Sequence, residues 1–223
     1  MLKTLFNGQL PQAVFFDLDG TLIDSVPDLA SGIDQMLLAC DLPTAGVEKV
    51  RIWVGKGART LVERAVAASG EAGKAIDIDA AERLFLDFYA SAAGHSTLYA
   101  NVLELLENLH ANHIPLVLIT NKPQRFTPVI LEQHKMDHLF EFILCGDDLA
   151  DKKPHPAQLL FALEKLNLEA NKCLMVGDSI SDIAAANAAN VPSVAVTYGY
   201  NHGECATTLP ATAFIDDLAE LMI

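Results

Sequence analysis

Four short, dominantly apolar runs constrain the fold of this chain more than any other feature: Ala13–Phe16, Leu116–Ile119, Cys173–Val176 and Ser193–Val196. A strand with one wet face alternates polar and apolar side chains. A strand covered on both faces does not, so these runs read as buried parallel strands. Phe142–Cys145 is a weaker fifth run of the same kind. Between the runs, apolar residues recur at helical spacing over residues 102–112, 126–134, 157–166 and 183–189. Strands alternating with helices predict an α/β protein built on a doubly wound, mostly parallel sheet with right-handed crossovers.

The first interval breaks that rhythm. A β-α-β unit needs about 30 residues, whereas roughly 75 residues, from about Ser25 to about Leu98, separate the first two runs. Ser25-Val26-Pro27-Asp28 has the form of a helix start, with proline in the first turn. Leu29, Ile33, Met36 and Leu37 follow at helical spacing, and residues 59–68 and 80–93 read as two further helices. The expectation has two parts: an α/β core of residues 1–23 and 99–223, and an inserted all-helical cap of residues 24–98. The crossings near Ile23-Asp24 and at residues 95–100 are expected hinges.

The chain has 223 residues, 51% of them hydrophobic, enough to fill a sizeable core. Its formal net charge of −14 argues against nucleic-acid or anionic-membrane partners, which require clustered Lys and Arg. A phosphorylated small-molecule substrate stays compatible, because a bound divalent cation inverts the local field. Cys40, Cys145, Cys173 and Cys205 form no C-x-x-C pair, which excludes zinc-knuckle and thioredoxin motifs and fits a reducing cytoplasm. No apolar run approaches about 18 residues, so a soluble cytoplasmic protein, monomeric or homodimeric, is expected.

Ligands of open α/β sheets bind outside the carboxyl ends of the strands. Four strand ends here carry suitable groups. The first run is followed by Asp17-Leu18-Asp19-Gly20-Thr21, the second by Thr120-Asn121-Lys122. The weaker run leads to Lys153-Pro154-His155-Pro156, and the third to Gly177-Asp178-Ser179 with Asp182. Asp17 can serve as a nucleophile that also binds metal, and Asp19 can handle a proton. Gly20 permits a tight turn and close backbone approach, and the Thr21 hydroxyl orders that turn. Asp182 lies one helical turn beyond Asp178 and can share its face. The expected cation is Mg²⁺, which takes oxygen ligands from few carboxylates plus substrate phosphate.

These four segments resemble the four motifs of the haloacid dehalogenase superfamily of phosphatases, over the whole chain. That resemblance implies a Rossmann-like core with a helical cap. It implies that Asp17 attacks phosphorus to form an aspartyl-phosphate. Asp19 then protonates the leaving oxygen and later activates water. It further implies metal ligation by the Asp17 carboxylate, the Asp19 main-chain carbonyl and Asp178. Thr120, the Asn121 backbone N–H and Lys153 would clamp the phosphate, with Asp182 orienting metal waters or Lys153.

The segments at residues 24–28, 53–55, 146–148, 152–156 and 197–200 are similar to the bacterial phosphoglycolate phosphatases of that superfamily. The implied reaction is hydrolysis of 2-phosphoglycolate to glycolate and phosphate. Related small-metabolite phosphatases, a β-phosphoglucomutase-like phosphotransferase and a non-catalytic phosphate-binding protein are the alternatives. A substrate carboxylate needs a cationic or N–H-rich partner. Arg51, Gly55, Lys56 and Gly57, read as one flexible cap loop, are the candidates; the rival reading is a helix–helix connection with a solvated lysine. Two positions depart from the family's pattern: Ala100-Asn101 stands where Pro-Gly is usual, and Asn190 where Gly is usual. Asn tolerates a left-handed backbone, so both turns are expected to survive.

Overall fold

The structure, a computed structural model, describes residues 1–91 and 94–223. A first helical turn, α1 (Leu2–Leu5), precedes β1 (Ala13–Phe16). The chain then passes through β2 (Ile23–Asp24) into four helices: α2 (Val26–Ala39), α3 (Val47–Trp53), α4 (Ala58–Ala67) and α5 (Ile78–Ser91). It returns through β3 (Thr97–Leu98) to α6 (Val102–Ala111), β4 (Leu116–Ile119), α7 (Thr127–Gln133) and β5 (Phe142–Leu144). It ends with α8 (Ala157–Leu166), β6 (Cys173–Gly177), α9 (Ile180–Ala188), β7 (Ser193–Val196) and β8 (Ala213–Ile215).

Six strands form one sheet in the order β5-β4-β1-β6-β7-β8, and every neighbouring pair is parallel. All the apolar runs that define the expected sheet are strands in it. From β1 the chain winds outward through β4 to β5; from β6 it winds the other way through β7 to β8. The β1/β6 boundary is therefore the topological switch point, where the sheet opens a crevice at its carboxyl edge. Strand alternation sends Val14 and Phe16 to one face, against Leu105, Leu106 and Leu109 of α6. It sends Ala13 and Phe15 to the other, against Leu159 and Ala162 of α8 and Ala185 and Ala186 of α9.

The four helices between β2 and β3 bury their own apolar cluster, which includes Leu29, Ile33, Met36, Leu37, Val62 and Phe85. Phe126 and Tyr200 of the sheet domain reach into it. The two crossings pair with each other: β2 and β3 are antiparallel, Ile23 opposite Leu98 and Asp24 opposite Thr97. Pro27 sits in the first turn of α2 as expected. The helix expected over residues 80–93 starts at Ile78; its last two residues lie outside those described.

Two elements depart from the expectation. Val47–Trp53 is a helix, so Arg51 sits on a helix and not in a loop. β8 completes the sheet as an edge strand of three residues, too short for a hydrophobic pattern to show. Asn101 (φ 61°) and Asn190 (φ 57°) both adopt the left-handed backbone expected of them. No helix of the described residues is long and apolar enough to cross a membrane.

Candidate active site

Asp17 follows the last residue of β1, and its N–H still bonds Val176 of β6 at 3.0 Å. That ladder bond fixes the carboxylate at the switch point. The Asp17 carboxylate lies 2.8 Å from Lys153 Nζ. Burial is the largest influence on Asp17; with Asp182 and Asp19 nearby it outweighs Lys153 and pushes the carboxyl up to about 7. Lys153 is buried and gives its remaining donors to Asp182 Oδ1 and the Ile119 carbonyl, both at 2.6 Å.

Asp178 stands opposite, at the end of β6. Its Oδ2 accepts from the Tyr200 N–H at 2.7 Å. Burial, reinforced by Asp182 and Asp17, raises its carboxyl well above the ordinary carboxylate range. Asp17, Asp178 and Asp182 each offer an oxygen within 4.8 Å of the others. Asp182 is otherwise engaged: its second oxygen accepts from the Ser179 N–H and hydroxyl, closing a capping box at the start of α9. Its helix-cap role and its grip on Lys153 thus coexist. The donor set is all oxygen and strongly anionic, which fits a hard divalent cation.

Gly20 and Thr21 serve this centre from behind. Gly20 has φ +91°, and a Cβ there would stand 2.2 Å from Asp178 Oδ2. The Thr21 hydroxyl lies 3.5 Å from Asp178 Oδ1.

Asp19 faces the cleft from the same loop. Ser25 Oγ donates to Asp19 Oδ1 at 2.5 Å. Lys122 Nζ lies 2.9 and 3.3 Å from its two oxygens. The Thr120 hydroxyl accepts from the Lys122 N–H at 3.1 Å. The Asn121 side-chain amide donates to the carbonyls of Lys153, at 2.8 Å, and of Gly55 in the cap, at 3.1 Å.

These groups open into a cleft between the sheet's carboxyl edge and the helices. Asp17, Asp19, Thr120, Asn121 and Lys122 form its polar floor. The helical side is mostly apolar, with Leu29, Val54, Leu61 and Phe85 beside Tyr89. Gly55 and Gly57 line it as expected of the cap loop; Arg51 and Lys56 do not. Arg51 is turned away, 3.4 Å from Asp24 and over the Tyr200 ring at 5.4 Å, because α3 points that face at the hinge. Trp53 packs against the cap's apolar cluster. Ser25 is a site residue that the sequence did not point to, and Lys122, one of the strand-end groups expected there, takes a place beside Asp19 that the sequence did not assign it. The signal for Lys122 was its place directly after Thr120-Asn121, but nothing local separates a buried lysine from a solvated one.

Known proteins place this geometry in context. The sequence model of the haloacid dehalogenase-like hydrolases matches residues 14–196. The phosphoglycolate phosphatase of Pseudomonas fluorescens is 46% identical over 222 residues, spanning 99% of this chain and 82% of that protein. Phosphoglycolate phosphatase 1 of Pseudomonas aeruginosa is 44% identical with the same coverage. A crystal structure described as a predicted phosphoglycolate phosphatase from Haemophilus somnus superimposes with a TM-score of 0.90. It is 37% identical, and the match covers 94% of this chain and 96% of that one. With the family's sequence pattern running from β1 through β7 and relatives aligned along nearly the whole length, this chain belongs to the haloacid dehalogenase-like hydrolases.

Proposed function

We propose that the chain hydrolyses 2-phosphoglycolate to glycolate and phosphate, through an aspartyl-phosphate on Asp17 and with Mg²⁺ as cofactor. The observation that carries the reading is Asp17 itself, a buried carboxylate at the β1 end, held by Lys153 and lining the cleft. The named substrate of relatives at 44 to 46% identity supports the choice of phosphate ester.

Asp17, Asp178 and the main-chain carbonyl of Asp19 would hold the cation. When bound, it neutralises charge on the transferring phosphoryl group. Thr120, the Asn121 N–H and Lys153 orient the phosphate for attack by Asp17, and Asp182 keeps Lys153 in place. Asp19 gives its proton to the leaving glycolate oxygen, then takes one from the water that opens the intermediate. Ser25 fixes the orientation of Asp19 for both steps. Residues 24–98 act as a cap that closes over the core of residues 1–23 and 99–223 and excludes bulk water. A cytoplasmic enzyme, working as a monomer or homodimer without nucleic-acid or membrane partners, fits the charge and the four unpaired cysteines.

Phosphate release across a panel of small phosphorylated metabolites, with and without Mg²⁺, tests the reading. 2-Phosphoglycolate should lead the panel, free phosphate should appear stoichiometrically, and chelation should stop turnover. Asp17→Asn should lower kcat by about a thousandfold or more, since it removes the nucleophile. Turnover at the wild-type rate in that variant would sink the mechanism. Retention of the phosphoryl group on sugar products would point to a phosphotransferase instead.

A further inference from the structure

The cleft poses an electrostatic problem. The substrate proposed above carries a second anion, yet Arg51 and Lys56 of the cap do not line the cleft. Among the described lining residues the one cationic side chain is Lys122, which comes from the core. Its ammonium is buried, with contacts to both oxygens of Asp19 and a hydrogen bond to Tyr89. The face of Tyr89 covers it from α5, with the ring centroid 4.9 Å away.

Covalent geometry makes the same assignment. In 2-phosphoglycolate a single methylene separates the leaving oxygen from the carboxyl carbon. Asp19 must reach the leaving oxygen. A group bonded to Asp19 is therefore within reach of the carboxylate one carbon further on.

We propose that Lys122 is the specificity-determining residue for the substrate carboxylate, exchanging Asp19 for that carboxylate when substrate binds. The exchange keeps the buried ammonium paired throughout, which matters because leaving it unpaired is costly. It also releases Asp19 from its lysine while Ser25 still holds it, so that the carboxylate can take up from solvent the proton it delivers and turn to the leaving oxygen. The apolar helical wall then excludes water around the new ion pair instead of supplying a charge. This assignment rests on the phosphoglycolate reading.

Binding in a turnover-disabled background separates the two ideas. Asp19→Asn removes the competitor for Lys122 and leaves bound substrate intact for calorimetry. This variant should prefer 2-phosphoglycolate over ethyl phosphate, which has the same ester oxygen and no carboxylate, by about 30-fold or more. The double variant Asp19→Asn/Lys122→Met, which buries no unpaired charge at this pair, should lose most of that preference. Asp19→Asn/Lys122→Arg, a variant that keeps the cation if the methionine variant fails to fold, should retain part of it. Full preference in the methionine double variant would overturn the role of Lys122 alone, as would loss of preference in the arginine variant with its fold intact. Absence of any preference in Asp19→Asn would overturn the phosphoglycolate reading, and the role of Lys122 with it.

Discussion

Asp17, Asp178 and Asp182 converge at the β1/β6 boundary, and Lys153 is the cation that faces them. Without metal, such a cluster opposes folding, because burial and like charge both disfavour the ionised forms. The sign follows from Asp17. Its carboxyl sits at about 7 in the fold, against an ordinary value near 4. From about pH 4 to about pH 7 the folded state holds a proton that the unfolded chain has lost, so stability falls as pH rises through this window. Asp17→Asn should therefore stabilise the metal-free protein while abolishing turnover. The gain should be small at pH 5 and reach about 1–2 kcal/mol at pH 8, or about 2–8 °C in Tm. Thermal melts in chelator at both pH values check it; a gain that shrinks with pH contradicts the assignment. Gly20 makes a second, steric demand on the same centre. At φ +91°, with Asp178 Oδ2 2.2 Å from any Cβ, Gly20→Ala both strains the loop and displaces Asp178. It should cost about 1–3 kcal/mol of stability and raise the Mg²⁺ concentration for half-activation by about tenfold or more.

At the scale of elements, the crossings between core and cap are held by Asp28, in the first turn of α2. Its carboxylate accepts from the Ser96 N–H and hydroxyl, at 2.9 and 2.5 Å, and from the His95 N–H at 3.0 Å. Burial works against the ionised form, but these bonds from Ser96 and His95 outweigh it and hold the carboxyl below its ordinary range. A depressed carboxyl stabilises above its ordinary value and loses that contribution as pH falls through the folded value. Asp28→Ala should cost about 2–3 kcal/mol near neutral pH and speed hydrogen exchange at the Ser96 amide; unchanged exchange there would refute the tether. None of this clasp was legible locally, since Asp28 and Ser96 are 68 residues apart. The strands were legible, because burial on both faces writes itself as an unbroken apolar run. The core motifs were legible for the same reason, each being anchored to a strand end. α3 was not: Val50 is its one buried residue, so it carries no periodic stripe. The fate of Arg51 followed from that helix. The pairing of Lys122 was hidden because its partner Asp19 lies 103 residues away.

Across the whole molecule, cap and core meet along two seams with the cleft between them. On one seam Tyr89 sets its ring edge-on to Phe126, centroids 4.9 Å apart, and covers Lys122. Beside them Arg125 pairs with Asp87 at 3.2 Å, both side chains largely exposed. On the other seam α3 rests on residues 199–204, where His202 Nδ1 lies 3.2 Å from the Ile52 carbonyl and Arg51 covers Tyr200. Magnitudes decide which contacts contribute most to holding the helices against the core. An exposed ion pair is worth about 0–1 kcal/mol. An aromatic pair adds about 0.5–1.5 kcal/mol, and a desolvated cation–π contact about 2 kcal/mol. Closure should therefore depend on Tyr89 and hardly on Arg125. A loss of about 2–3 kcal/mol at Tyr89 shifts the open-to-closed ratio by about 30- to 150-fold. Because Tyr89 also lines the cleft, kinetics alone would confuse lost closure with lost contact to substrate. Small-angle scattering of the metal-free protein separates them: Tyr89→Leu should enlarge the radius of gyration, and Arg125→Ala should leave it at the wild-type value. The reverse order would mean that charge, not buried aromatic surface, keeps the cap on the core.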